Sequence, residues 1–136
     1  MNIDQIKEFF DRDEFAKMTG VVIEEAEEDG AVCTLALRGK HLNAGGIVQG
    51  GAVFTLADFA FAVASNLCDL KAGNQAITVN QSSNILFFQP AKGNKLIAKA
   101  KCLRNGHRLS VYRVSVTDDL GTNVAEMTAN AYRVTK

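Results

Sequence analysis

The chain lacks most features that would settle a function class by composition alone. It has one proline, three cysteines, two histidines and no net charge, with fifteen basic side chains balancing fifteen acidic ones. A single proline excludes a proline-rich linker, and no repeat or low-complexity tract divides the 136 residues. One domain over 1–136 is therefore expected, with 1–19 as a helix covering the core. Cys33, Cys68 and Cys102 are spaced 35 and 34 residues apart, with no CxxC and no histidine pair nearby. That spacing excludes an argument for zinc and predicts three reduced core thiols. The charge balance leaves no footprint for nucleic acid or an anionic membrane surface, and it tolerates self-association. The longest apolar stretch, Val48 to Ala64, is shorter than the roughly 20 residues of a spanning helix, and it carries Asp58. Met1 to Asp4 leads into a mixed-charge helical pattern rather than a leader, so the expected location is cytoplasmic.

Apolar residues make up 47% of the chain and charged residues 22%, values that allow a proper core. The most informative stretch runs from His41 to Asn66. It opens as a glycine-rich loop and becomes an almost wholly apolar helix, in which only Thr55 and Asp58 are polar between Ala52 and Ala64. A helix apolar nearly all round is expected to be buried, and a carboxylate inside it needs a partner or a purpose.

Before this stretch, residues 3–18 place Ile3, Ile6, Phe9 and Phe10 on one helical stripe, followed by Phe15 and Met18, with Gly20 as the stop. Val21 to Ala26 and Ala31 to Leu37 read as strands joined at Glu28-Asp29-Gly30. The central helix is predicted from Gln49 or Gly50 to about Leu70, with Gly73 closing it. Four strand-like segments follow: Ala76–Phe88, Lys95–Leu103, Arg108–Thr117 and Val124–Val134. The turns between them, Lys92-Gly93-Asn94, Asn105-Gly106 and Asp118 to Gly121, have hairpin length and chemistry. His41 and His107 read as surface residues. The pattern as a whole is α+β, a curved antiparallel sheet wrapped around one long helix.

Gly50 and Gly51 would present backbone N–H groups at a helix N-terminus, where the first four lack partners and the dipole is positive. That is a place for a developing oxyanion, although the glycines could equally serve tight helix–sheet packing. Thr55, Asp58, Ala62, Ser65 and Asp69 share one helical face, so Asp58 can act as a general base or nucleophile in a cleft. Gly50 and Asp58 are eight residues apart, about 12 Å along a helix. An aspartate cannot reach back over that distance, so joint action on one substrate requires Asp58 of a second copy.

His41-Leu42-Asn43, Gly50-Gly51 and Leu56-Ala57-Asp58, at their spacing, resemble hotdog-fold acyl-CoA thioesterases of the phenylacetic acid degradation type, over about Gly20 to Val134. The resemblance implies hydrolysis of an acyl- or aryl-CoA thioester, with no metal or bound cofactor, in a homo-oligomer that is a dimer and further a tetramer. It implies that the Gly50 N–H, with Gly51, polarises the carbonyl, that Asp58 activates water or attacks, and that Asn43 holds water or the carbonyl. A Ser or Thr early in the next strand lines the site in some members. Thr78, Asn80, Ser82 and Ser83 compete for that position, and Thr78 is carried over. Gln49 stands where the family has histidine; its amide can orient a ligand but cannot become cationic. Arg104, His107 and Arg108, with Lys92 and Lys95 in another turn, would meet the phosphates of coenzyme A. The alternative is a non-catalytic protein that binds acyl-CoA or acyl-pantetheine.

Overall fold

In the computed structural model, residues 1–27, 30–74 and 78–134 are described. The N-terminal stripe forms two helices, α1 (Ile3–Phe10) and α2 (Glu14–Thr19), where the sequence pattern suggested one. The break is a capping effect. The Asp13 carboxylate accepts from the Ala16 N–H at 3.0 Å and starts a new helix, which Gly20 closes at φ +104°. The turn between the helices rotates Phe15 and Met18 into solvent, leaving Ala16 as the buried residue of α2. α1 keeps the expected face: Ile6 is buried, and Phe10 packs edge-on against Phe59 at 5.8 Å.

The long helix α3 (Gly50–Lys71) lies where the apolar run placed it, and the turn behind it uses Gly73 at φ +78°. Twelve of its 22 residues are buried, among them Leu56, Phe61 and Leu67, each stabilising by about 1.5–3 kcal/mol. By length and composition α3 could cross a membrane, although the run length alone suggested it was too short. Here it is the packed centre of a sheet. Its less buried stripe carries Thr55, Asp58, Ala62 and Asp69, as the sequence pattern implied, while Ser65 is buried.

The strands are β1 (Val21–Glu27), β2 (Gly30–Ala36), β3 (Thr78–Phe87), β4 (Lys95–Asn105), β5 (Leu109–Asp118) and β6 (Asn123–Arg133). They form one antiparallel sheet in the order β1-β2-β4-β5-β6-β3, wrapped around α3. Alanines at 98, 100, 125, 129 and 131 line its inner face and let the helix approach closely. Irregular registers at Ile23/Glu25, Asn80/Ser82, Cys102/Arg104 and Val116/Thr117 add the twist that curls it. On β5 the buried face is Ser110, Tyr112, Val114 and Val116, one of the two alternating sets.

Two of the hairpin expectations, at Asn105-Gly106 and Asp118 to Gly121, match strand pairs. Lys92-Gly93-Asn94 does not make a hairpin, because β3 pairs with β6 and β4 with β2 and β5. Side chains of the β5–β6 turn claim this segment instead. Asp118 Oδ2 accepts from the N–H groups of Lys92 and Gly93, and Asp119 Oδ1 from those of Asn94 and Lys95. Glu28 and Asp29 of the first expected turn, and Ala76 and Ile77 of the third expected strand, lie outside the described residues. The cysteines also divide. Cys33 is fully buried, and burial, with a lesser contribution from the Glu24 carboxylate, pushes its thiol up to about 12. Cys102 is half-buried, and Cys68 sits on the exposed side of α3, so only Cys33 is a core thiol.

Candidate active site

The loop entering α3 is held by His41. Its imidazole is buried: Nδ1 accepts from the Arg38 N–H at 2.9 Å and Nε2 lies 2.7 Å from the Thr19 carbonyl oxygen. Both contacts are satisfied by the neutral Nε2–H tautomer. The expectation of a surface His41 is thus overturned: two backbone groups hold the ring inside. The His41 carbonyl accepts from the Gln49 N–H at 2.8 Å, which ties the start of α3 to the end of α2.

Between these points the chain makes a tight loop. Asn43 Oδ1 accepts from the N–H groups of Gly45 (2.9 Å) and Ile47 (3.3 Å), and Gly46 takes φ +79°. The acceptor oxygen of Asn43 is committed to its own loop, so its Nδ2 group is what it can offer a ligand. Gln49 is the N-cap residue but its side chain makes no cap bond. It folds over Gly51, where an added Cβ would collide with its Oε1, and a Cβ on Gly50 would lie 3.4 Å from the Phe87 ring. The Gly50 approach is ordinary contact with the ring edge and the Gly51 collision would be relieved by moving the Gln49 side chain, so packing does not demand glycine at either position. The Gln49 carbonyl takes the N–H groups of Ala52 (2.9 Å) and Val53 (3.3 Å). Among the described residues, the Gly50 and Gly51 N–H groups have no protein acceptor. They form a bare, positive helix end.

Two clefts flank that end. One, beside Gly50, is lined by Asn43, Ile47, Phe87, Phe88 and Pro90. The other, beside Gly51, lies between α2 and α3.

Asp58 is half-buried, two turns further along α3. Asn80 Nδ2 donates to its Oδ1 at 2.9 Å, and Asn80 Oδ1 in turn accepts from the Ser83 hydroxyl at 2.8 Å. The register slip between Asn80 and Ser82 makes this possible, since Asn80 and Ser83 oppose the buried Ala131 and Ala129 on the helix-facing side. Of the four competing residues, Asn80 therefore meets Asp58, with Ser83 behind it. Thr78 is buried elsewhere. Its backbone is clamped by the Asn66 side chain (N–H to Oδ1 2.7 Å), and its hydroxyl has no partner among the described residues. Ser82 accepts from Asn130 Nδ2 at 3.0 Å on the outer face. The Asn66 clamp had no signal in the sequence; only the packing of α3 against the start of β3 reveals it.

Arg104, His107 and Arg108 are exposed on the β4–β5 turn. They ring a shallow cavity completed by Gln81, Ser82 and Asn130. A side chain at Gly106 would collide with the Leu109 carbonyl, which accepts the Gly106 N–H at 2.9 Å. The β3 bulge thus serves both sides of the sheet, Asp58 inside and the cations outside. One chain brings Asn43, Gln49, Gly50 and Gly51 together, and separately Asp58 with Asn80. It does not bring Asp58 to Gly50.

A sheet curled around a single helix, with bare glycine N–H groups at the helix start, defines a hotdog-fold protein. Residues 45–125 match the model of the thioesterase superfamily. The chain belongs to that superfamily and is a thioester hydrolase. It is 30% identical to acyl-coenzyme A thioesterase PaaI of Escherichia coli K12 over 126 residues, 92% of this chain and 86% of that protein. The structure of E. coli PaaI, from the phenylacetic acid degradation operon, aligns with a TM-score of 0.84 at 27% identity, covering 94% of this chain and 89% of that one. A point mutant of the phenylacetic acid degradation protein PaaI from Thermus thermophilus gives 0.79 at 29% identity, covering 89% and 99%. The resemblance read from Asn43, Gly50-Gly51 and Leu56-Ala57-Asp58 is borne out: this is a PaaI-type hotdog thioesterase.

Proposed function

We propose that the substrate is an acyl- or aryl-CoA thioester and that each site is shared by two copies of the chain. The observation that carries this reading is the pair of unpartnered N–H groups at Gly50 and Gly51, on the same helix as an oriented carboxylate too far away to serve them. The thioester carbonyl accepts from these N–H groups. Asp58 of the second copy takes a proton from water as the water oxygen bonds to the carbonyl carbon. The resulting oxyanion stays on the helix end until the C–S bond breaks and the coenzyme A thiolate leaves, taking up a proton. Gln49 and the Nδ2 group of Asn43 orient the substrate, and Arg104, His107 and Arg108 take phosphates. Thr78 is too deeply buried for contact and supports the strand that carries Asn80. Water and the protein's own groups supply the chemistry, with no metal or cofactor.

Two features support a second copy. β3 is an edge strand, and Val79, Leu86 and Phe87 on it, with Phe88 just beyond its end, are exposed. The open stripe of α3 carries Asp58. A tetramer and a cytoplasmic location complete the reading.

Mixing two inactive variants tests it. Gly50→Pro removes one N–H at a position where proline suits a helix start, and Asp58→Asn removes the base. A mixed dimer would hold one intact site, so remixed subunits should recover roughly a quarter of wild-type hydrolysis. No recovery after verified subunit exchange would mean that the site lies within one chain.

A further inference from the structure

The loop 38–49 carries Asn43 and delivers the chain to Gly50, yet it buries a single side chain, and that side chain is a histidine. Leu42 and Ile47 point into solvent, and only half-buried Val48 adds an apolar link to the core. The position of this loop therefore rests on directed hydrogen bonds more than on hydrophobic contact. His41 supplies the longest series of them. Its Nδ1 accepts from the Arg38 N–H across the short turn Gly39–His41, and its Nε2–H donates to the Thr19 carbonyl at the end of α2. The His41 carbonyl takes the Gln49 N–H at 2.8 Å, and the Gln49 carbonyl takes the N–H groups of Ala52 and Val53. Both backbone groups of Gln49 are thus pinned. In a trans peptide the C=O and the following N–H point opposite ways, so turning the Gln49 carbonyl into the helix turns the Gly50 N–H out of it. The aim of that bare donor is set by a series of bonds that starts at Thr19. Lys40 bonds the neighbouring Met18 carbonyl at 2.7 Å, but from an exposed side chain outside this series.

We propose that His41 is a positioning residue for hydrolysis: its ring, held between α2 and Arg38, fixes the aim of the Gly50 N–H at the reacting carbonyl without touching the substrate. This deepens the thioesterase reading and rests on it. A donor that meets a developing oxyanion stabilises it most when it is aimed beforehand, because no reorganisation is then needed during the reaction. Loss of the ring should therefore weaken transition-state stabilisation and leave ground-state binding almost as it was. The role needs one donor and one acceptor on a single small ring, and it needs no proton transfer to or from substrate.

The test is chemical rescue. Wild type, His41→Ala and the buried-clamp control Asp118→Asn are assayed with acetyl-, octanoyl- and benzoyl-CoA, and read on the substrate that wild type turns over fastest. His41→Ala should lower kcat per folded molecule between about ten- and a hundredfold with little change in KM. The space left by the ring opens on the cleft between α2 and α3, so added imidazole can enter it. Imidazole should restore most of the lost kcat after its background reaction is subtracted. 1-Methylimidazole, a comparable base without the N–H, should not, and neither should pyrrole, which lacks the acceptor. Asp118→Asn should keep its kcat and ignore all three. An unchanged kcat in folded His41→Ala, a loss confined to KM, a loss that imidazole does not reverse, or equal rescue by 1-methylimidazole would overturn the proposal. If His41→Ala does not fold, His41→Gln and His41→Asn replace it. The longer amide reaches the Thr19 carbonyl and the shorter one only Arg38, so kcat should be several-fold higher in the glutamine variant, and equal values would overturn the role. If wild type hydrolyses none of the three thioesters, the acyl-CoA reading fails separately. The 15N-resolved amide signals of Gly50 and Gly51 then decide: displacement in the variant with return on adding imidazole supports the positioning role, and unmoved signals overturn it.

Discussion

Two aspartates sit on apolar ground in this molecule, and they are treated in opposite ways. Asp118, 2% exposed, has every lone-pair direction answered by backbone. Oδ2 accepts from the N–H groups of Lys92 and Gly93, and Oδ1 from those of Leu120 and Thr122, at 2.8 to 3.0 Å. Asp58 is held by the Asn80 amide, a side-chain donor, and lies on the open stripe of α3. A carboxylate that the fold uses is saturated by peptide groups that cannot move away. Asp58, the carboxylate proposed to act on the substrate, is aimed by an amide and otherwise left accessible. Burial and the identity of the donors both separate the two.

Substitution by asparagine should split them cleanly. Asp58→Asn should reduce hydrolysis about a thousandfold, in the range for a lost general base, and leave the melting temperature nearly unchanged. Asp118→Asn should do the reverse. It turns an NH2 group toward N–H donors, costs about 3 kcal/mol of stability and spares turnover per folded molecule. If the melting temperature fell in the first variant or the rate collapsed in the second, the division of labour would be wrong.

Acid sharpens the contrast. Burial by itself would raise the Asp118 pKa, but the hydrogen bonds from Lys92, Thr122 and Gly93 outweigh it and hold the carboxyl well below the ordinary carboxylate range. A group depressed in the folded state stabilises fully above its unfolded value and loses that contribution as the pH falls below it. Wild type should therefore lose stability progressively below about pH 4, and Asp118→Asn should lose less over the same interval. Urea unfolding at several pH values reads both slopes.

The smallest effects belong to the residues that aim Asp58. Asn80→Ala should lower kcat about tenfold with little change in KM, and Ser83→Ala by a few-fold, because each removes orientation and not the base itself. Asn80→Asp places a like charge beside Asp58 and should shift the acid limb of the pH–rate profile upward. An unshifted profile would separate Asn80 from the reaction.

Much of this was legible in the sequence because its signals were local and strong. An apolar run of that length reads as a buried helix, which α3 is, and the spacing of its one carboxylate from Gly50-Gly51 argues against joint service within one chain. The Asn105-Gly106 and Asp118 to Gly121 turns read correctly for the same reason. In each failure a group outside the pattern being read, near in the chain or far from it, overrode that pattern. The stripe through Phe15 and Met18 looks continuous on paper, but the Asp13 cap ends it. Lys92-Gly93-Asn94 has hairpin chemistry, yet carboxylates from 25 residues away take its N–H groups. His41 looked like a surface residue because its partners, Thr19 and Arg38, are backbone groups and carry no side-chain signature. Asn80 was one of four equal candidates until the register slip put it on the helix-facing side.

The strand order has a consequence for how the protein is made. β3 leaves the ribosome directly after α3, but its sheet partner is β6, with Asn84 opposite Thr128. Until β6 has been synthesised, β3 emerges with neither edge satisfied, while β1, β2, β4 and β5 can already close on the helix. Non-local pairing of this kind is slow and exposes apolar strand surface meanwhile. The edge that the second copy would join is thus among the last parts to become native, so assembly waits on synthesis of the strand that completes the sheet.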